Sequence, residues 1–155
     1  MSTTINGTTG VSVGGTVVAT SGWAGTTSSA GLLGGVAVSH ECERGGTGTA
    51  GNVMAYGNGQ TLGKGLRMPF SGKLYAATLS GTGITGTVTV DAYLNGAANT
   101  SYRLTATGTG GDIGNTGNWL ASPLSFAAGD TLGWVQTVVP SSANGYFVAY
   151  YIVFD

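Results

Sequence analysis

Apolar and polar side chains alternate with a period of two along much of the chain after residue 35, the pattern of strands with one buried face. In the first such segment Val36, Val38, His40 and Cys42 fall on one side, and Ala37, Ser39, Glu41 and Glu43 on the other. The clearest alternation runs over residues 87–94, where Val88, Val90, Ala92 and Leu94 make a core face against Thr87, Thr89, Asp91 and Tyr93. Asn95-Gly96 follows at once. That pair accepts positive φ at both central positions of a type I′ turn, so a hairpin to a strand over residues 101–107 is predicted. Further strands are predicted over 53–56, 66–70, 73–80, 119–126 and 131–138, with Pro69 marking a strand end and Pro123 an interruption. The glycine-rich stretches 45–51, 57–59, 81–85 and 108–117 read as loops and turns, as does Ala127-Ala128-Gly129-Asp130.

Residues 146–154 make the last predicted strand, and both of its faces are apolar. Phe147, Ala149, Tyr151 and Val153 alternate with Tyr146, Val148, Tyr150, Ile152 and Phe154. In a two-layer protein one face enters the core and the other needs a cover. A second subunit is the expected cover, with Tyr146, Val148, Tyr150, Ile152 and Phe154 as its interface. About eight strands at 8 to 12 residue spacing, with no helical pattern between them, predict an all-β chain: an antiparallel β-sandwich or jelly roll.

Residues 1–35 differ from the rest. They hold no Lys, Arg, Asp or Glu, and β-prone pieces at 11–13 and 16–19 sit among Gly, Ser and Thr. The expected organisation is an extended N-terminal arm over 1–35 that orders on contact, followed by a β domain over 36–155.

Composition narrows this further. The 30 glycines, 23 threonines and 13 serines disfavour helix, glycine by backbone entropy and threonine by its β-branch. Charged residues are 7% of the chain, against about 25% in a typical soluble domain. Apolar residues at 41% still support a packed core. A surface so poor in charge is expected to be covered by copies of itself or by a larger assembly. Five scattered Lys and Arg give no basic footprint, so no nucleic-acid partner is expected. The longest apolar run is too short for a membrane-spanning helix, and no basic and apolar leader follows Met1, so neither membrane nor classical secretion is expected. Cys42, the single cysteine, rules out an intrachain disulfide.

Little chemistry is available. His40 is the only histidine, no G-x-S-x-G elbow exists, and Ser39 points to the opposite face of its strand, which argues against a Ser-His-Asp triad. His40 and Cys42 share a face but supply two ligands where structural zinc wants four, so a core or interface position is the expected role. The six carboxylates are scattered: Asp130 sits in a turn, and Asp91 lies on a threonine-rich face near Arg103. Structural roles are expected for both. Two G-x-G-x-x-G matches, at 46–51 and 81–86, precede strands where a nucleotide site needs a helix N-terminus. Trp134 and Tyr151 are expected in the core or an interface, while Tyr102 and Trp119 are the better candidates for exposed stacking on sugars. No catalytic residue, cofactor or metal is predicted.

Several segments resemble a known family. Ile5-Asn6-Gly7-Thr8-Thr9-Gly10-Val11 is similar to the N-terminal segment of many tailed-phage fibre and head-fibre proteins. Residues 65–74, 86–96 and 124–132 look like the jelly-roll domains of phage decoration proteins and fibre tips. The resemblance implies a homotrimeric virion protein. The absence of shaft repeats favours a compact capsid decoration, or cement, protein made in the host cytoplasm and carried on the capsid surface. Its implied partner is the phage major capsid protein, contacted through Ile5, Val11, Val13, Val17 and Val18. The alternative is a receptor-binding tip that meets a host glycan through the loops at 108–117 and 139–145.

Overall fold

The computed structural model describes residues 3–6, 10–13, 16–19, 37–55 and 65–155, the backbone alone up to residue 42. All regular structure among them is β. Strands β1 (Thr3–Asn6), β2 (Gly10–Val13) and β3 (Thr16–Ala19) form a three-stranded antiparallel meander, in which Ile5 pairs with Val11 and Ser12 with Val17. The β-prone pieces of the N-terminal stretch thus pair with one another.

A second antiparallel sheet holds β4 (Ala37–Gly45), β5 (Leu66–Arg67), β6 (Gly72–Leu94), β7 (Ala97–Asn118), β8 (Leu124–Phe126), β9 (Thr131–Val138) and β10 (Gly145–Phe154). Its frame is the hairpin β6–β7, turned at Asn95 (φ 53°) and Gly96 (φ 87°) as the Asn-Gly pair predicts. A straight strand of 23 residues would span about 75 Å, far beyond a domain whose radius of gyration is about 15 Å. The hairpin therefore bends. The pairing with β7 slips between Gly81 and Ile84 and again before Thr85. Gly83 (φ 62°) and Gly86 (φ 97°) take the left-handed conformations this requires. Across the bend, a Cβ on Gly108 would stand 2.5 Å from the Ile84 carbonyl oxygen.

The bend makes two layers from one hairpin. β7 and β8 follow one edge of β6, while the other edge takes β10 along residues 72–82 and β9 along residues 89–94. Layer one is β4, β10, the first half of β6 and the second half of β7. Layer two is β5, β9, the second half of β6 and the first half of β7. Trp134 of β9 meets Tyr150 of β10 at 6.1 Å between ring centroids, although these strands do not pair, so the layers face each other. The core between them includes Leu74, Leu79, Ile84, Val88, Leu104, Leu132 and Ile152, all fully or almost fully buried. Each contributes about 1.5–3 kcal/mol of apolar transfer. Residues 53–55 tie the layers at one side: Val53 bridges Val135 of β9 and Ala55 bridges Glu43 of β4.

The expected all-β antiparallel sandwich is what the chain builds, but several segments differ from the sequence reading. Residues 81–85 and 108–117, expected as loops, run inside β6 and β7. Their glycines serve the bend and its close backbone contacts, and the two segments pair with each other at Gly81–Ile113, Ile84–Gly111 and Thr85–Thr109. The strand expected over 53–56 is reduced to the two bridges, and that over 119–126 to β8. Tyr56 and the turn at 57–59 lie outside the described residues.

Candidate functional site

The two layers present very different outer surfaces. On layer two, cross-strand polar pairs line the hairpin. Thr87 Oγ1 and Thr107 Oγ1 are 2.9 Å apart, and Thr89 Oγ1 and Thr105 Oγ1 3.1 Å. Next in the row, Arg103 grips Asp91 with two hydrogen bonds, Nε to Oδ1 at 2.6 Å and Nη2 to Oδ2 at 2.8 Å. The Asp91 side chain is fully buried and that of Arg103 is 44% exposed. The Asp91 hydrogen bond, then its charge, raises the Arg103 pKa further above its ordinary value. A forked guanidinium matches a carboxylate in this way, so Asp91 has the structural role expected of it. Asp130 also has its expected role: its carboxylate accepts from the Ala127 amide at 2.7 Å and from Asn95 Nδ2 at 2.8 Å, which lowers its pKa.

Layer one has an outer face of another kind. Along β10 the burial alternates strictly from Tyr146 to Ile152: Tyr146, Val148, Tyr150 and Ile152 are buried, whereas Phe147 is 39% and Tyr151 53% exposed. The register places Ser80, Thr78 and Ala76 of β6 beside Phe147, Ala149 and Tyr151. Gly114, Thr116 and Asn118 of β7 continue the same rows. Glu43 stands opposite Phe147 on the β4 side, and Lys73 opposite Val153 on the β6 side. Two aromatic rings thus stand beside small side chains of β6 and β7, with Glu43 and Glu41 at the register positions of the β4 side and Lys73 beside Val153.

This exchanges the faces assigned from sequence. Tyr146, Val148, Tyr150 and Ile152, expected at a subunit interface, face the chain's own core, and Phe154 packs on Phe126 and Phe70 at 6.1 and 5.7 Å. With both faces apolar, alternation alone carried no sign; the inward face is the one that meets Trp134. Tyr102 and Trp119, expected as exposed stacking rings, pack together at 5.4 Å, with Trp119 next to Trp134 at 6.3 Å. The Tyr102 hydroxyl donates to the Ser122 carbonyl at 3.0 Å.

Other predicted positions divide as follows. Ile5, Val11, Val13, Val17 and Val18 fall within β1 to β3, and their side chains lie outside the described residues. His40 and Cys42 hold register positions opposite Tyr150 and Val148. Among the described residues, no three His, Cys, Asp or Glu gather as a metal site would require. The segment 139–145, expected as a glycan-contacting loop under the alternative, is tied to the bend: Thr85 N donates to Ser142 O, and Ser141 N to Thr85 O, both at 2.9 Å.

Sequence reasoning also missed a buried polar group at one end of the core. The Tyr146 hydroxyl reaches Gln136 Oε1 and the Thr47 carbonyl, pinning the loop after β4 to the sandwich. Burial pushes the Tyr146 pKa up to about 12, against a smaller opposing effect of the Arg44 charge. Gln136 follows the strand alternation of β9 onto its core face, and a polar residue at such a position was the available signal.

No protein-family model matches the chain, and no curated protein matches it. Among solved structures, the globular domain of the zebrafish complement 1qA protein is similar over 77% of this chain and 96% of its own, at a TM-score of 0.47 and 8% identity. A Podospora anserina GH26-CBM35 β-(1,4)-mannanase is similar over 77% of this chain and 28% of its own, at a TM-score of 0.40 and 16% identity. The function of neither neighbour transfers to this chain on such a likeness.

Proposed function

We propose that this chain is a non-enzymatic structural protein that acts as a homo-oligomer, joined through the outer face of layer one, and that the oligomer decorates and stabilises the head of a tailed phage. The observation that carries the oligomer is the exposure of Phe147 and Tyr151 over a floor of Ala, Ser, Thr and Gly. Aromatic rings over small, closely approachable side chains are what the buried centre of an interface contains. A chain with 7% charged residues has few other means of finishing its surface.

The virion reading draws on the resemblance of residues 5–11, 65–74, 86–96 and 124–132 to phage head-fibre and decoration proteins, which implies three copies. In this reading the segment 1–35 reaches the major capsid protein between capsomers, and linked contacts from several copies hold far more tightly than one. The receptor-binding alternative loses support, because 108–117 is strand and 139–145 is anchored to the bend. Immunogold electron microscopy of intact particles of the phage that encodes the chain tests the proposal. Gold over the head is the expected result; gold at the tail, or none, would overturn it.

A further inference from the structure

The tip of the β6–β7 hairpin carries a latch and, beside it, a free backbone amide. Asn95 N donates to the Thr131 carbonyl at 2.9 Å, and Thr131 N donates back to Asn95 Oδ1 at 2.9 Å. Asn95 Nδ2 donates to Asp130 Oδ1 at 2.8 Å, while Asp130 Oδ2 accepts from the Ala127 amide at 2.7 Å. The Asp130 carbonyl in turn accepts from Met68 N at 2.7 Å, so one cluster joins the connections before β6, after β6 and before β9. Gly96, next along the chain, is exposed, takes φ 87° and meets no acceptor for its amide among the described residues. The other Asn-Gly pair among them, Asn144-Gly145, differs, because Gly145 is flanked by Gly45 and Thr82 within the sheet.

We infer that Asn95 is a self-modification site, where attack by Gly96 N converts the asparagine to aspartate or isoaspartate and releases the latch. Gly96 N bonds to Asn95 Cγ and closes a succinimide ring. The Cγ–Nδ2 bond breaks, and Nδ2 leaves as ammonia with the proton that Gly96 gives up. Water then opens the ring to the acid. The turn favours each part of this. Glycine has no Cβ to crowd the ring, and its free amide gives up no hydrogen bond when it reacts. The Thr131 N–H already points at Oδ1, the oxygen on which negative charge develops. The product then reverses one contact. Where Nδ2 donated to Asp130, a carboxylate now faces a carboxylate, and the bond from the Ala127 amide favours an ionised Asp130. Arg67 Nη2 comes within 3.6 Å of the Cβ position of Gly129 but makes no ion pair with Asp130 to offset the added charge.

The test incubates the full chain in mildly alkaline buffer and reads its peptides by mass spectrometry, beside thermal denaturation of variants. Asn95 is expected to convert ahead of Asn99, Asn115, Asn118 and Asn144. An Asn95 that stays intact, or that converts after any of these, overturns the site. Asn95→Asp, which installs the product directly, is expected to melt about 3 °C or more below wild type. Adding Asp130→Asn to it is expected to recover most of that loss, since the amide donor then sits at the other end of the same bond. An Asn95→Asp variant that melts with wild type, or a double variant in which the two single losses add, overturns the release of the latch.

Discussion

One hairpin, β6–β7, supplies both outer faces of this sandwich, and its two halves finish their surfaces in different ways. Beyond the bend, on layer two, threonine faces threonine and Asp91 faces Arg103, so polar side chains meet their needs within the strand pair. Before the bend, on layer one, β6 and β7 offer small side chains, and the neighbouring strand adds Phe147 and Tyr151 with no cover from the described residues. The same Gly- and Thr-rich composition thus yields a face whose polar groups are paired, with Thr89, Asp91 and Val135 buried, and a face that gains from a partner. What separates them is the strand laid beside β6: β9 brings Val135 and Gly133 to its outer rows, β10 brings rings.

The comparison is broken most forcefully at β10, whose alternate residues are assigned opposite fates. Ile152→Ala, on the core face, is expected to cost about 2–5 kcal/mol in chemical denaturation, whereas Tyr151→Ala, one position away, changes the stability of the dissociated chain by less than about 0.5 kcal/mol. Equal losses would mean that the faces are wrongly assigned. The bend that separates the halves comes next. Gly108→Ala forces a methyl against the Ile84 carbonyl, and a loss of about 1–3 kcal/mol is expected by the same measurement.

Arg103→Met sharpens the account of layer two. It leaves the buried Asp91 carboxylate without its partner, so the melting temperature falls, and it falls more than for Asp91→Asn, which removes the charge itself. The reverse order would show that the ion pair is not what completes that face. A smaller effect concerns alkaline pH. Tyr146 has its pKa raised in the folded chain to about 12 from an ordinary 10, so its contribution to stability is complete below pH 10 and is lost as pH rises through about 12. Denaturation midpoints should decline over that window in wild type and decline less in Tyr146→Phe.

Much of the fold is legible in the sequence because a core face imposes a period of two on apolar side chains. Val88, Val90 and Ala92 declare the core face of β6, Asn95-Gly96 declares the hairpin, and β9 begins and ends where its pattern does. The glycines of 81–86 and 108–117 mislead, since a residue that permits a turn also permits a strand to bend tightly against another. Pairing across 20 or more positions, not local composition, decides between the two. The candidate site is half legible for a related reason. That β10 has two apolar faces is plain from Tyr146 to Phe154, but which face meets Trp134 depends on register with β6 and on the folding-over of the sheet. Likewise Tyr102 and Trp119, beside glycine-rich sequence, gave no sign that the bend would bring them onto the core.

The central claim is that the outer face of layer one is an interface. Its most direct test is the solution mass of the full chain beside a Phe147→Asp, Tyr151→Asp double variant, with circular dichroism confirming that both are folded β. The account predicts a wild-type oligomer and a folded, monomeric variant. A folded variant that keeps the wild-type mass would contradict it.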